Sequence, residues 1–127
     1  MKKISDYNFP INIDDFPMER TPTINHPQVY VLELHNEKYY VGHAVDVYRR
    51  IRNHKSDGCS IWTKEHGIKA ILQVTDGNHE DENSITIEMM YKYGWENVRG
   101  GKWCKLLINE PNELKVYREK VESKSTN

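Results

Sequence analysis

Cysteine is nearly absent from this 127-residue chain: Cys59 and Cys104 stand alone, and no CxxC pair occurs. Two thiols build no disulfide framework, and six histidines without HxxxH spacing offer no zinc ligand set. Long apolar runs are missing too. Nothing approaches the roughly 20 residues that a bilayer-spanning helix needs. No apolar segment follows the two lysines of MKKISDYNFP, so that stretch does not read as a signal peptide. An intracellular, cytoplasmic protein is expected. Proline is scarce after the start: Pro10, Pro17, Pro22 and Pro27 all fall in residues 1–27. That predicts an extended or irregular arm, touching the surface through Ile4, Phe9, Ile11, Ile13 and Phe16. No internal repeat is visible.

What is present suits one small domain with a modest core, 37% hydrophobic and 29% charged. The net charge of -1 conceals a strong unevenness. Residues 43–75 set six cations, among them Arg49, Arg50, Arg52 and Lys64, against three anions. Residues 76–97 set six anions, among them Glu82 and Glu88, against Lys92 alone, and the tail from 98 onward is again basic. A basic segment beside an acidic one suits a phosphodiester substrate: cations for the backbone and a carboxylate for a metal. A mixed, solvated surface accounts for the same charge counts.

Val29 to Leu34 alternates as a strand, with Val29, Val31 and Glu33 on one face and Tyr30, Leu32 and Leu34 on the other. Residues 35–38 form the turn, and Tyr39–Gly42 the partner strand of a hairpin. Gly42 marks a bulge or a close approach. Asp46 is the expected N-cap of a helix over residues 47–56, which puts Val47, Arg50, Ile51 and His54 on one side. A short helix over 60–66, a strand over 68–74 and a helix over 80–93 follow. On that last helix Ile85, Met89 and Tyr93 face inward together with Glu82, while Glu88 groups with Ser84 and Lys92 on the wetter side. Gly94–Trp103 reads as a loop, residues after Pro111 as a charged helix, and 123–127 as disordered. The fold class is α+β, a central sheet of about three strands (the hairpin plus one) flanked by helices.

These residues resemble the GIY-YIG nuclease superfamily. Its two tyrosine motifs are matched by Gln28-Val29-Tyr30 and Tyr40-Val41-Gly42, and its basic-Arg-aliphatic-x-x-His helix by Arg49 to His54. Glu82 and Asn97 fall where that family has a metal-binding glutamate and a later asparagine. YGWENVRGG and Trp62-Thr63-Lys64 are similar to small stand-alone members from large DNA viruses. Two positions depart from the pattern: Gln28 replaces a frequent glycine, and His43 stands where lysine, serine or another polar residue is frequent.

The resemblance covers residues 28–104, between an arm (1–27) and a charged helix and tail (105–127). It implies a metal-dependent DNA endonuclease using one Mg²⁺ or Mn²⁺ ion. In that scheme Glu82 (or Glu88) holds the ion, Arg50 neutralises the scissile phosphate, and Tyr30 acts as general base or orients the water. Tyr40 and His54 complete the catalytic set. Gly42, His43, Arg49, Arg52, Lys64, Asn97 and Arg99 support the site or hold the nucleic acid. With one site per chain, cutting both strands at once takes two chains, so a monomer and a homodimer both remain open. Competing readings are a nuclease-like nucleic-acid-binding module without catalysis, and an interaction domain whose tyrosines are only core.

Overall fold

The computed structural model describes residues 8–16, 26–57 and 61–125; the side chains of 54–57 and 125 lie outside that description. The expected hairpin is present. Strand β2 (Gln28–Leu34) pairs antiparallel with β3 (Tyr39–Ala44), in a register that sets Tyr30 opposite Gly42 and Leu32 opposite Tyr40. Asn36 and Glu37 adopt positive φ in the turn, a conformation that asparagine tolerates well, and Leu34 N–H donates to Lys38 C=O at 2.7 Å.

The alternation along β2 separates two cores. Tyr30, Leu32 and Leu34 pack with Tyr40, Val47, Tyr48, Ile51 and Trp62 on one face of the sheet. Val29, Val31 and Val41 pack with Leu72, Ile85 and Met89 on the other. A strand buried on both faces belongs at the centre of a sheet, and β2 lies there. Strand β4 (Ile68–Asp76) flanks it antiparallel.

The sheet has five strands, not about three, in the order β1-β4-β2-β3-β5. The two extra strands are short edges. β1 (Ile11–Asn12) comes from the proline-containing arm and pairs with β4 at Ile71 and Ala70. β5 (Val98–Gly100) runs parallel to Tyr39–Val41. Two or three residues are too few to display a period, so their pairing follows from tertiary contact alone. The arm also contributes more than surface contacts, because Ile13 and Phe16 are buried in the first core.

Helix α1 (Val47–Asp57) starts as expected, with Asp46 Oδ1 accepting from Arg49 N–H at 3.0 Å. Helix α2 (Ile61–His66) buries Trp62, whose indole N–H donates to Tyr39 C=O at 2.8 Å. Helix α3 (His79–Tyr93) opens on a capping box between Asn78 and Asp81 and stops at Gly94. Its most buried side chains are Thr86, Ile87 and Met90, so the inward face is broader than Ile85, Met89 and Tyr93 alone. Helix α4 (Asn112–Ser125) buries Leu114 against α3 and continues through 123–125, where disorder was expected. Among the described residues no helix is long and apolar enough to cross a membrane.

Candidate active site

The register of the hairpin brings the two tyrosine motifs together. Tyr30 is wholly buried, and its ring lies over Gly42 so closely that a Cβ there would fall inside the phenol. Glycine is therefore required by the Tyr30 ring, so the close approach is made by a side chain and not by a backbone or ligand. The Tyr30 and Tyr40 rings face each other with centroids 6.4 Å apart and planes tilted by 45°. Arg50, on α1 above the same face, donates side-chain hydrogen bonds to both phenol oxygens. A guanidinium can do this because its donors form a fixed fork.

Glu82 reaches the site from the opposite face of the sheet, in the first turns of α3. Its side chain is 13% exposed, and Oε1 lies 3.1 Å from Nδ1 of His43. Glu82 is near enough to both phenols to oppose their ionisation. β5 pairs only with Tyr39–Val41, so His43, the partner of Glu82, lies past the end of that pairing. Asp76, Glu80 and Asp81, exposed neighbours of Glu82, make that side acidic, while Arg49 and Arg50 make the α1 side basic.

Burial dominates the titration of the phenols. It raises Tyr30 far above its ordinary value, with Tyr40 adding to the rise and Arg50 opposing it. Burial likewise pushes Tyr40 up to about 12, with Arg50 again opposing. Both phenols are therefore neutral near pH 7. The unfolded chain would ionise Tyr40 near 10.0, so between that value and about 12 the folded state binds more protons. Stability from this source is complete below pH 10, falls as pH rises and is gone above about 12; the shift corresponds to on the order of 2–3 kcal/mol. Denaturant midpoints at about pH 8.5 and about pH 11 should show the loss, and Tyr40→Phe should show a smaller one. An equal loss in both proteins would clear the phenol of responsibility.

The remaining sequence candidates are placed differently. Arg49 and Lys64 are exposed on α1 and α2, and Arg52 lies 5.7 Å from the Tyr48 ring centroid. The His54 side chain and Cys59 lie outside the described residues. Asn97 is not brought to the phenols. Its amide donates to Tyr93 C=O at 2.8 Å and its Oδ1 accepts from Lys38 Nζ at 2.7 Å, which ties the end of α3 to the hairpin turn. Arg99 is buried, donates to the carbonyls of Trp95, Val98, Lys105 and Leu106, and stacks on Trp62 at 4.3 Å. It clamps the 105–106 loop. Glu88 is exposed and lines a separate groove of about 400 Å³ between α3 and α4.

Two neighbours of the site escaped the sequence reading. Lys102 N–H donates to Asn83 Oδ1 at 3.0 Å, pinning the Gly100-Gly101 turn to α3 beside Glu82. That turn carries Cys104 to where its thiol is coupled electrostatically to Tyr40 and Glu82. The paired glycines, with Gly101 at φ 53, were the only signal of this docking.

Residues 26–92 match the GIY-YIG catalytic domain. The chain belongs to the GIY-YIG family. Members of this family are endonucleases that act on DNA, generally with a divalent metal. Among curated proteins the chain is 36% identical over 53 residues to "Cyclin-D-binding Myb-like transcription factor 1" of human, rat and mouse. The match spans 42% of this chain and 7% of those proteins, so their own activities stay with them. No solved structure matches the chain.

The family implies a divalent ion. Among the described residues no three His, Cys, Asp or Glu side chains converge as a cage. Glu82 is a single, mostly buried carboxylate with one oxygen engaged by His43. Mg²⁺ is commonly held by one or two carboxylates, several waters and substrate phosphate, so the residues fit.

Proposed function

We propose that this GIY-YIG protein is a metal-dependent endonuclease that hydrolyses phosphodiester bonds in DNA. The observation that carries this reading is the convergence of Arg50 on both phenols, with Glu82 within electrostatic reach of the same pair. A packing role alone would not call for a half-buried guanidinium and a carboxylate beside two tyrosines.

A divalent ion held by Glu82 would polarise a phosphate oxygen and lower the pKa of the attacking water. Arg50 offers permanent charge to the non-bridging oxygens as negative charge builds on the phosphorus centre. A phenol oxygen that accepts from Arg50 still has a hydrogen to donate, which the attacking water or the phosphate would receive. Because burial keeps Tyr30 protonated, its role here is to orient that water, and it would become a base only where further cations offset the burial. The exposed Arg49 and Lys64 would hold the DNA backbone on the α1 side without reading sequence.

Supercoiled plasmid and a branched DNA should both be tested with Mg²⁺ or Mn²⁺ and with EDTA. Cutting that appears with the ion and disappears with the chelator is the expected result. A second reading, a DNA-binding module without catalysis, is favoured by the complete burial of Tyr30. It predicts salt-dependent DNA affinity with no cutting of either substrate.

A further inference from the structure

We infer that His43 is a positioning residue for Glu82, fixing the carboxylate in the orientation that receives the divalent ion; this rests on the reading above. The strand period dictates its direction. Tyr40 and Gly42 face α1, so Val41 and His43 face α3, and His43 comes directly beneath the helix turn that carries Glu82. Among the described residues, His43 is the hydrogen-bonding partner of the Glu82 carboxylate, at 3.1 Å.

An ionised carboxylate only accepts, so the proton of the neutral ring must sit on Nδ1. The bond occupies Oε1 and leaves Oε2 for the ion. A glutamate has three side-chain torsions, and the His43 contact restricts those of Glu82. Hydrogen-bonding partners of metal-ligating carboxylates act in this way, and losing them typically weakens metal binding about 10–100-fold.

The test is Mn²⁺ binding to the full chain, followed by electron paramagnetic resonance of the free ion, for the unmodified protein and for His43→Ala, His43→Asn and Glu82→Ala. Thermal unfolding of each reports on the fold. His43→Ala is expected to weaken Mn²⁺ about tenfold or more. His43→Asn, whose amide nitrogen takes the place of Nδ1, should stay within about threefold, and Glu82→Ala should remove the site. Should His43→Ala fail to fold, the comparison becomes His43→Asn with His43→Gln, whose amide overlays Nε2 and should not restore binding.

Unchanged Mn²⁺ affinity in His43→Ala, with binding lost in Glu82→Ala, would overturn the positioning role and leave Glu82 as ligand. Failure of His43→Asn to recover affinity would overturn it too. Mn²⁺ binding undiminished in Glu82→Ala, or absent from the unmodified protein, would remove the metal assignment and this inference together.

Discussion

Replacing Glu82 by alanine is expected to abolish metal-dependent cleavage, lowering kcat by at least about a thousandfold, with fold and DNA affinity retained. The fold should survive because α3 is started by Asn78 and Asp81, not by Glu82. Among the described residues Glu82 makes one side-chain hydrogen bond, to His43, so its loss is expected to cost on the order of 1 kcal/mol. DNA affinity should survive because Arg49 and Lys64, the cations proposed to hold the backbone, lie on α1 and α2, across the sheet from the carboxylate. Plasmid cleavage, DNA binding and thermal unfolding, measured side by side, check the three parts. Full cleavage by Glu82→Ala would move the ligand to Glu88, although Glu88 faces the groove between α3 and α4.

Arg50→Ala is the second large effect expected. Removing a charged donor aimed at developing negative charge typically costs about 10²–10³ in rate. Here the loss is compounded, since the guanidinium also holds both phenols. Lysine at this position should not restore the rate, because a single ammonium lacks the planar fork that bridges two oxygens. Single-turnover cleavage at saturating DNA isolates the chemical step, and a change of less than about threefold would exclude a transition-state role.

The parts of the fold with enough residues to display a period were legible in the sequence. β2 shows its alternation over seven residues and α1 announces its start with Asp46, whereas α3 was read from its period and its Asn78–Asp81 capping box emerged only in the structure. The edge strands were not legible, because β1 and β5 have two and three residues and borrow their geometry from neighbours. The site divides similarly. The spacing of Arg50 from Val47 and Ile51 was legible, but the register was not: a turn over 35–38 would set Tyr30 opposite His43, whereas the strands pair around residues 34–38 and set it opposite Gly42. Cys104 and Asn83 could not be placed, since their proximity depends on how a glycine turn docks on a helix. Asn97 and Arg99 were expected at the site, yet Asn97 is engaged by Tyr93 C=O and Lys38 Nζ, and Arg99 by four backbone carbonyls. No pattern of residue types distinguishes a buried arginine that clamps a loop from one that would meet a phosphate.

Glu82 and His43 stand on one side of the sheet and Tyr30, Tyr40 and Arg50 on the other, with His43 past the end of the β3–β5 pairing. Glu82 is linked to the phenols through its charge, and His43 is its hydrogen-bonding partner among the described residues. An ancestor or descendant stripped of the glutamate would still present its arginines to a nucleic-acid backbone. On the proposed reading, one substitution at Glu82 would turn a protein that cuts DNA into one that grips it, with the fold left standing.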